Sequence, residues 1–133
     1  MLLDTHAAVW LAEGDYLSPR ALDAIGAALV RGALLVSAVT AWEIALLHDG
    51  GRRLFEPSPE QWFAEFAEMP GLSVLPLDWR TALNGQLLPA PFQRDPADRF
   101  LVATARERGV PILTRDRNIL DYAAAGHVLA LPC

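Results

Sequence analysis

The sequence predicts an α/β fold in which a parallel sheet is covered by helices on both faces. Three observations predict it. Short apolar runs of strand length recur along the chain, each is followed by a segment with helical apolar spacing, and the helices carry recognisable start and stop residues. Repeated strand-helix-strand units require right-handed crossovers, which place helices on both sides of a parallel sheet.

The elements follow in order. "MLLD" opens as a buried strand and leads into a helix beginning at Thr5. Ser18-Pro19 combines an N-cap with proline at the first helical position, and Gly32 stops that helix before the next strand. "ALLVS" is the second strand and runs straight into an apolar helix. Ser58-Pro59-Glu60-Gln61 repeats the Ser-Pro start and adds the pattern of a capping box. "LSVLPLD" reads as a third strand, and "LLPAPFQRDP", Leu87 to Pro96, as a Pro-rich loop near a site. Asp95 before Pro96 starts another helix, Gly109 ends it, and "PILTRD" is the fourth strand. No internal repeat, low-complexity tract or linker interrupts the chain, so one domain over residues 1–133 is expected.

Composition narrows the function classes. The hydrophobic fraction of 53% and mean hydropathy of +0.23 are high for so small a chain and imply apolar surface covered by a partner or a second copy. Apolar faces in "WLAEGDYLSPRALDAIGAALV" and "PEQWFAEFAEM" supply that surface, although Trp62, Phe63 and Phe66 read first as core. No uncharged apolar run reaches the roughly 18 to 20 residues of a membrane span, and the N-terminus lacks signal-peptide features. The one cysteine, Cys133, forms no internal disulfide, so a cytoplasmic, reducing location is expected, with no membrane partner. The net charge of -5 argues against indiscriminate phosphate binding. Yet all eleven basic residues are arginine, and Arg94, Arg99, Arg106, Arg108, Arg115 and Arg117 crowd one stretch, either as a local positive surface or as a solvated, paired helix face.

Four acids are out of keeping with their surroundings. Asp4 ends the first strand and Asp116 ends "PILTRD", so both stand at the carboxyl edge where open parallel sheets place ligands. With histidine counted as neutral, Glu43 is the only charge between Arg31 and Asp49, within "GALLVSAVTAWEIALLH". Asp98 shares a helix face with the apolar Leu101, Val102 and Ala105. Carboxylates converging in an apolar setting repel each other and need a cation or many donors. A hard divalent ion, Mg²⁺ or Mn²⁺, resolves that conflict, and metal-activated water hydrolysing a phosphodiester is the reaction such a centre suits. No Ser-His or Cys-His pair suggests a covalent route, and His6, His48 and His127 lack ligand spacing.

Each acid also has a plainer role open to it. Asp4 suits a cap for the helix at Thr5, Thr40-Ala41-Trp42-Glu43 has the form of a capping box, Asp98 suits the helix dipole, and Asp116 suits a turn before Arg117-Asn118. Asp95 reads more as a helix cap than as a ligand. Thr114, on the strand before Asp116, is placed either to orient a ligand or simply as a β-favouring residue.

"LLDTHAAVW", "VSAVTAWEIAL", "RDPADRFLVATA" and "LTRD", in this order over the full chain, resemble the PIN-domain ribonucleases, in particular the VapC toxins of bacterial toxin-antitoxin pairs. The resemblance implies a three-layer α/β/α sandwich and Mg²⁺- or Mn²⁺-dependent endonucleolytic cleavage of RNA. It makes Asp4, Glu43, Asp98 and Asp116 the catalytic, metal-binding quartet, with Asp4 and Asp98 the foremost ligands. Thr5 and Thr114 match the Thr or Ser that the family sets beside its acids, and Asp95 and Arg99 are further supporting candidates. It also implies an RNA substrate, a cognate antitoxin and a homodimer. One departure is that Leu47 and "GGRRL" stand where relatives carry a lysine and a "GKL"-like turn; Arg52 and Arg53 are the available substitutes. Receiver domains and haloacid-dehalogenase-like phosphatases also gather acids around Mg²⁺, but both call for a lysine, and this chain has none. A non-catalytic RNA- or partner-binding module is the remaining alternative.

Overall fold

The computed structural model describes residues 1–14 and 16–133; Asp15, within the first of the two apolar segments above, lies outside them. In chain order the elements are β1 (Leu2–Leu3), α1 (Thr5–Glu13), α2 (Pro19–Val30), β2 (Leu34–Ser37), α3 (Ala38–Asp49), α4 (Pro59–Ala67), β3 (Leu72–Leu75), α5 (Trp79–Gln86), α6 (Pro96–Arg108), β4 (Ile112–Thr114), α7 (Arg117–Ala124) and β5 (Ala130–Pro132). The sheet order is β3-β2-β1-β4-β5 and every pairing is parallel.

Side-chain alternation along the strands separates the two faces. Leu2 and Ile112 point to one side and pack with Leu101 and Val102 of α6 and Ile119 and Tyr122 of α7. Leu3, Leu34, Val36 and Leu113 point to the other and meet Ala7 and Ala8 of α1, Ala21 and Ile25 of α2, and Phe66 of α4. Helices on both faces of one parallel sheet make the three-layer α/β/α sandwich. Trp62 and Phe63 are partly buried against the second cluster and against a satellite of Val9, Ile44 and Phe55, so they serve mainly as core.

Several boundaries differ from the sequence expectation, each for a local reason. β4 ends at Thr114; Asp116 lies beyond it as the N-cap of α7, where its Oδ1 accepts from the Asn118 and Ile119 amides at 2.8 and 3.1 Å. Thr40 and Glu43 form no capping box, because α3 begins earlier, at Ala38 with Ser37 as its cap. Ser58 caps α4 through the Gln61 amide, but the Gln61 side chain donates to Glu65 instead of returning to Ser58, so the box is half made. The helix expected after the third strand is α5, and the fifth strand adds to the expected elements. β5 is three residues long and ends in Pro132, which a strand at the sheet edge tolerates.

Among the described residues no helix is long and apolar enough to cross a membrane. Leu47, which stands where relatives carry a lysine, packs its side chain against the Val9, Ile44 and Phe55 satellite. Arg53 is drawn to Glu13 of α1.

Two glycines give a test of the backbone. Gly71 enters β3 at φ +89°, and a Cβ there would come within 2.2 Å of the Leu29 carbonyl oxygen, whereas Gly32 at φ +62° has open space around it. Gly32→Ala is expected to cost about 1 kcal/mol, from conformation alone. Gly71→Ala is expected to cost about 3 kcal/mol or more, because a backbone clash adds to the strain. Urea midpoints of the two variants check this; equal losses would contradict the close approach of α2 to β3.

Candidate functional site

Strand order reverses beside β1, whose neighbours are β2 on one side and β4 on the other. Open parallel sheets have a crevice at such a reversal, outside the carboxyl ends of the strands. Asp4 follows β1 directly and caps α1, with Oδ1 accepting from the Ala7 amide at 2.7 Å. Its other oxygen accepts from the Thr114 hydroxyl at the end of β4, and Thr114 Oγ1 in turn accepts from the Asp116 amide at 2.9 Å. Capping and pointing into the site are therefore compatible for Asp4. Thr114 acts here on a carboxylate.

Glu43 reaches the same edge from the second turn of α3. Its Oε1 accepts from the Thr5 hydroxyl, which lies 3.3 Å from the Thr40 hydroxyl. Asp98 comes from the first turn of α6, where Asp95 caps its amide at 3.3 Å and Gln93 Nε2 donates to its Oδ2 at 2.6 Å. The four acids thus come from β1, α3, α6 and the β4–α7 turn. All are fully or partly buried.

Their protonation reflects burial first and one another's charge second. Burial is the main force raising Asp98 from 3.8 to about 7, and the charges of Asp95, Asp116, Glu43 and Asp4 push the same way. Asp4 is raised chiefly by burial and then by Asp116, against the hydrogen bonds from Thr114 and Ala7. Glu43 is raised by burial and by Asp95 and Asp4, against the hydrogen bond from Thr5. The charge of His6 eases both Asp4 and Glu43, a role its spacing in the sequence does not signal.

Among the described residues no arginine forms an ion pair with these acids. Arg99 points back along its loop and donates to the carbonyls of Gly85, Gln86, Phe92 and Gln93, which pins the segment that carries Gln93. Arg106 donates to the His127 carbonyl, Arg115 to those of Cys133 and Tyr16, and Arg117 pairs with Asp121 at 3.6 Å.

Gln93 and Asn118 escaped sequence reading. Asn118 Nδ2 donates to Gln93 Oε1 at 2.9 Å, so a neutral amide bridge links the loop holding Asp98 to the turn holding Asp116. The sequence signals this bridge through the place of Gln93 in the Pro-rich loop "LLPAPFQRDP".

The donor set suits a hard divalent cation by its chemistry: all oxygen, like-charged, and partly withdrawn from water. Among the described residues no three acidic, histidine or cysteine side chains are gathered into a ready ligand group. Each carboxylate is instead held by its own donors, one or two apiece, and since a carboxylate offers about four lone-pair sites, each retains capacity for a cation, on Asp116 through the Oδ2 that the Asn118 and Ile119 amides leave free.

The PIN domain family profile matches residues 1–125. Ribonuclease VapC22 of Mycobacterium tuberculosis is 36% identical over 124 residues, covering 92% of this chain and 91% of the relative. Among solved structures, VapBC2 from Rickettsia felis bound to a promoter DNA fragment superposes with a TM-score of 0.71 at 8% identity, covering 98% of this chain and 96% of that one. FitAcB from Neisseria gonorrhoeae gives 0.65 at 21% identity, with 98% and 95% covered. At those identities the structural likeness is one of fold. The profile match over nearly the whole length and the sequence relative together place the chain in the PIN domain family, among its VapC proteins.

Proposed function

We propose that this chain, as one PIN nuclease domain over residues 1–133, is a Mg²⁺- or Mn²⁺-dependent endoribonuclease and the toxin of a toxin-antitoxin pair. The observation that carries the reading is the convergence of Asp4, Glu43, Asp98 and Asp116 on one sheet edge, with no arginine paired to any of them among the described residues. The name of the 36% identical relative supports ribonuclease activity.

Asp4 and Asp98 would hold the ion, with Glu43 and Asp116 completing the acidic surround. When bound, the cation supplies charge neutralisation at the phosphate and a water acidified enough to attack phosphorus. The protein's own part is positional. Thr114 and the Ala7 amide fix the Asp4 carboxylate, Thr5 fixes Glu43, and Gln93 fixes Asp98, so the charges are set before substrate arrives. Hydrolysis adds water across one phosphorus–oxygen bond and consumes no other reactant.

Partners follow from the same family placement. The neighbours solved as VapBC and FitAcB assemblies support a cognate antitoxin, and exposed apolar side chains give a physical reason for covering protein. An apolar depression of 420 Å³ lies between Val39 and Trp42 of α3, Leu77, and Pro96 and Phe100 of α6. We assign this face to protein partners, a second copy among them, in a cytoplasmic setting.

Purified chain with single-stranded RNA and Mn²⁺ tests the activity. Cleavage is expected, with Asp4→Asn and Asp98→Asn each lowering the rate at least about a hundredfold. RNA bound but never cut by clean protein with metal supplied would favour the non-catalytic module. Thr114→Val leaves a buried carboxylate short of a donor, and a loss of about 2 kcal/mol in urea denaturation is expected.

The raised acids also fix the direction of pH dependence. An acid with a raised folded pKa binds its proton more tightly folded than unfolded, so stability is lost as pH climbs from about 4 to about 7 and then levels off. Metal-free protein is expected to melt lower at pH 7.5 than at pH 5, and Asp98→Asn to flatten that difference. Thermal melts across this range check it; a profile that rises with pH and is unaltered by Asp98→Asn would contradict the assignment.

A further inference from the structure

Beside the acids lies a second concavity, of 380 Å³, between the Pro91–Gln93 segment and one side of α7. Its near end is built from residues that already touch the acidic site. Gln93 holds Asp98 at 2.6 Å, and the Asn118 amide holds Asp116 at 2.8 Å. Its wall is aromatic. Phe92 meets Tyr122 with ring centroids 4.5 Å apart, and Tyr122 stacks on His127 at 4.6 Å and 27°.

The wall is rigid by construction. The Tyr122 hydroxyl donates to the Pro89 carbonyl at 2.6 Å, which ties α7 to the Pro-rich loop. The His127 amide donates to the Tyr122 carbonyl at 3.2 Å, and the His127 carbonyl accepts from Arg106, so the backbone under the imidazole is clamped from both sides. Phe92 and His127 are only partly buried, and both line the cavity. Between these ring faces and the acids stand two primary amides oriented by their mutual bond at 2.9 Å. That bond uses one N–H of Asn118, so its second N–H and its Oδ1 remain to meet a polar edge. The cavity's one carboxylate, Asp121, is paired with Arg117 and is no lone charge opposing an anion.

Flat aromatic faces next to fixed donors and acceptors, one step from a phosphodiester-cleaving centre, match the chemistry of an unpaired nucleobase. We propose that this cavity is a base-binding subsite for the nucleotide adjoining the cleaved bond, with Phe92 and His127 as stacking faces and Asn118 reading the base edge. The subsite makes cleavage depend on base identity at one position. The proposal rests on the ribonuclease reading for its place in the reaction.

The test uses short single-stranded RNAs that differ only at the nucleotide beside the cut bond, carrying each of the four bases or an abasic ribose. With Mn²⁺, wild-type kcat/KM is expected to fall about tenfold or more when the base is removed. His127→Ala is expected to bring the ratio of base-bearing to abasic rates close to one, His127→Phe to retain it, and Asn118→Ala to reorder the four bases. Equal falls on base-bearing and abasic RNA in His127→Ala would mark a structural residue and overturn the proposal. Binding of the same RNAs with Ca²⁺ in place of Mn²⁺, read by fluorescence anisotropy, separates this question from cleavage. A base-dependent affinity lost in His127→Ala supports the subsite even if nothing is cut, and base-independent binding by wild type overturns it even if cleavage occurs.

Discussion

A hydroxyl from β4 holds a carboxylate at the end of β1, and most of what this molecule can do depends on that contact. Thr114 and Asp4 are 110 residues apart in sequence and meet only because the chain, having laid β2 and β3 on one side of β1, returns to place β4 on the other. The reversal opens the crevice, and the hydrogen bond sets the first charge inside it. The same hydroxyl accepts from the Asp116 amide, so the turn that carries a second acid is registered to the first. The Asp4 amide also donates to the Leu113 carbonyl of β4 at 3.1 Å, so backbone pairing and the shared threonine together register the two acids.

The remaining carboxylates arrive on helices whose starts are fixed by capping. Ser37 starts α3 so that Glu43 falls on the side facing α1, and Asp95 starts α6 so that Asp98 falls in its first turn. The result is a set of acids that disfavour one another's ionisation, a local cost borne by the hydrophobic layers on both faces of the sheet. The arginines leave this tension in place. Arg99 spends its guanidinium on four backbone carbonyls, and the loop it secures presents Gln93 to Asp98. Cationic side chains here serve as staples, which is consistent with a net charge of -5 on a chain read as acting on RNA.

What was legible in the sequence, and what was not, divides along the kind of signal each residue carries. A lone charge in an apolar strand or on an apolar helix face stands out against a regular period, so Asp4, Glu43 and Asp98 were visible as anomalies, and the strand-helix alternation gave the layers. Gln93 and Asn118 lie in a loop and a first helical turn, where no period exists to violate, and their importance comes from partners 5 to 25 residues away. Thr40 and Glu43 looked like a helix start because the true start at Ser37 carries no flanking glycine or proline. β5 gives almost no strand signal without the neighbouring β4, because it is three residues long, two of them partly buried and the last an exposed proline. Arg99 was legible as a cation near Asp98, but its direction was not, since only the folded loop supplies the carbonyls it answers.

Calorimetric titration of Mn²⁺ into the purified chain at pH 7, in two buffers of different ionisation enthalpy, tests the central electrostatic claim most directly. With Asp98 near half-protonated, saturable binding should release a fraction of a proton per site, and Asp98→Asn should remove that release along with most of the affinity. Heats that do not saturate, or binding without proton release that Asp98→Asn leaves intact, would contradict the account of these acids as a cation site.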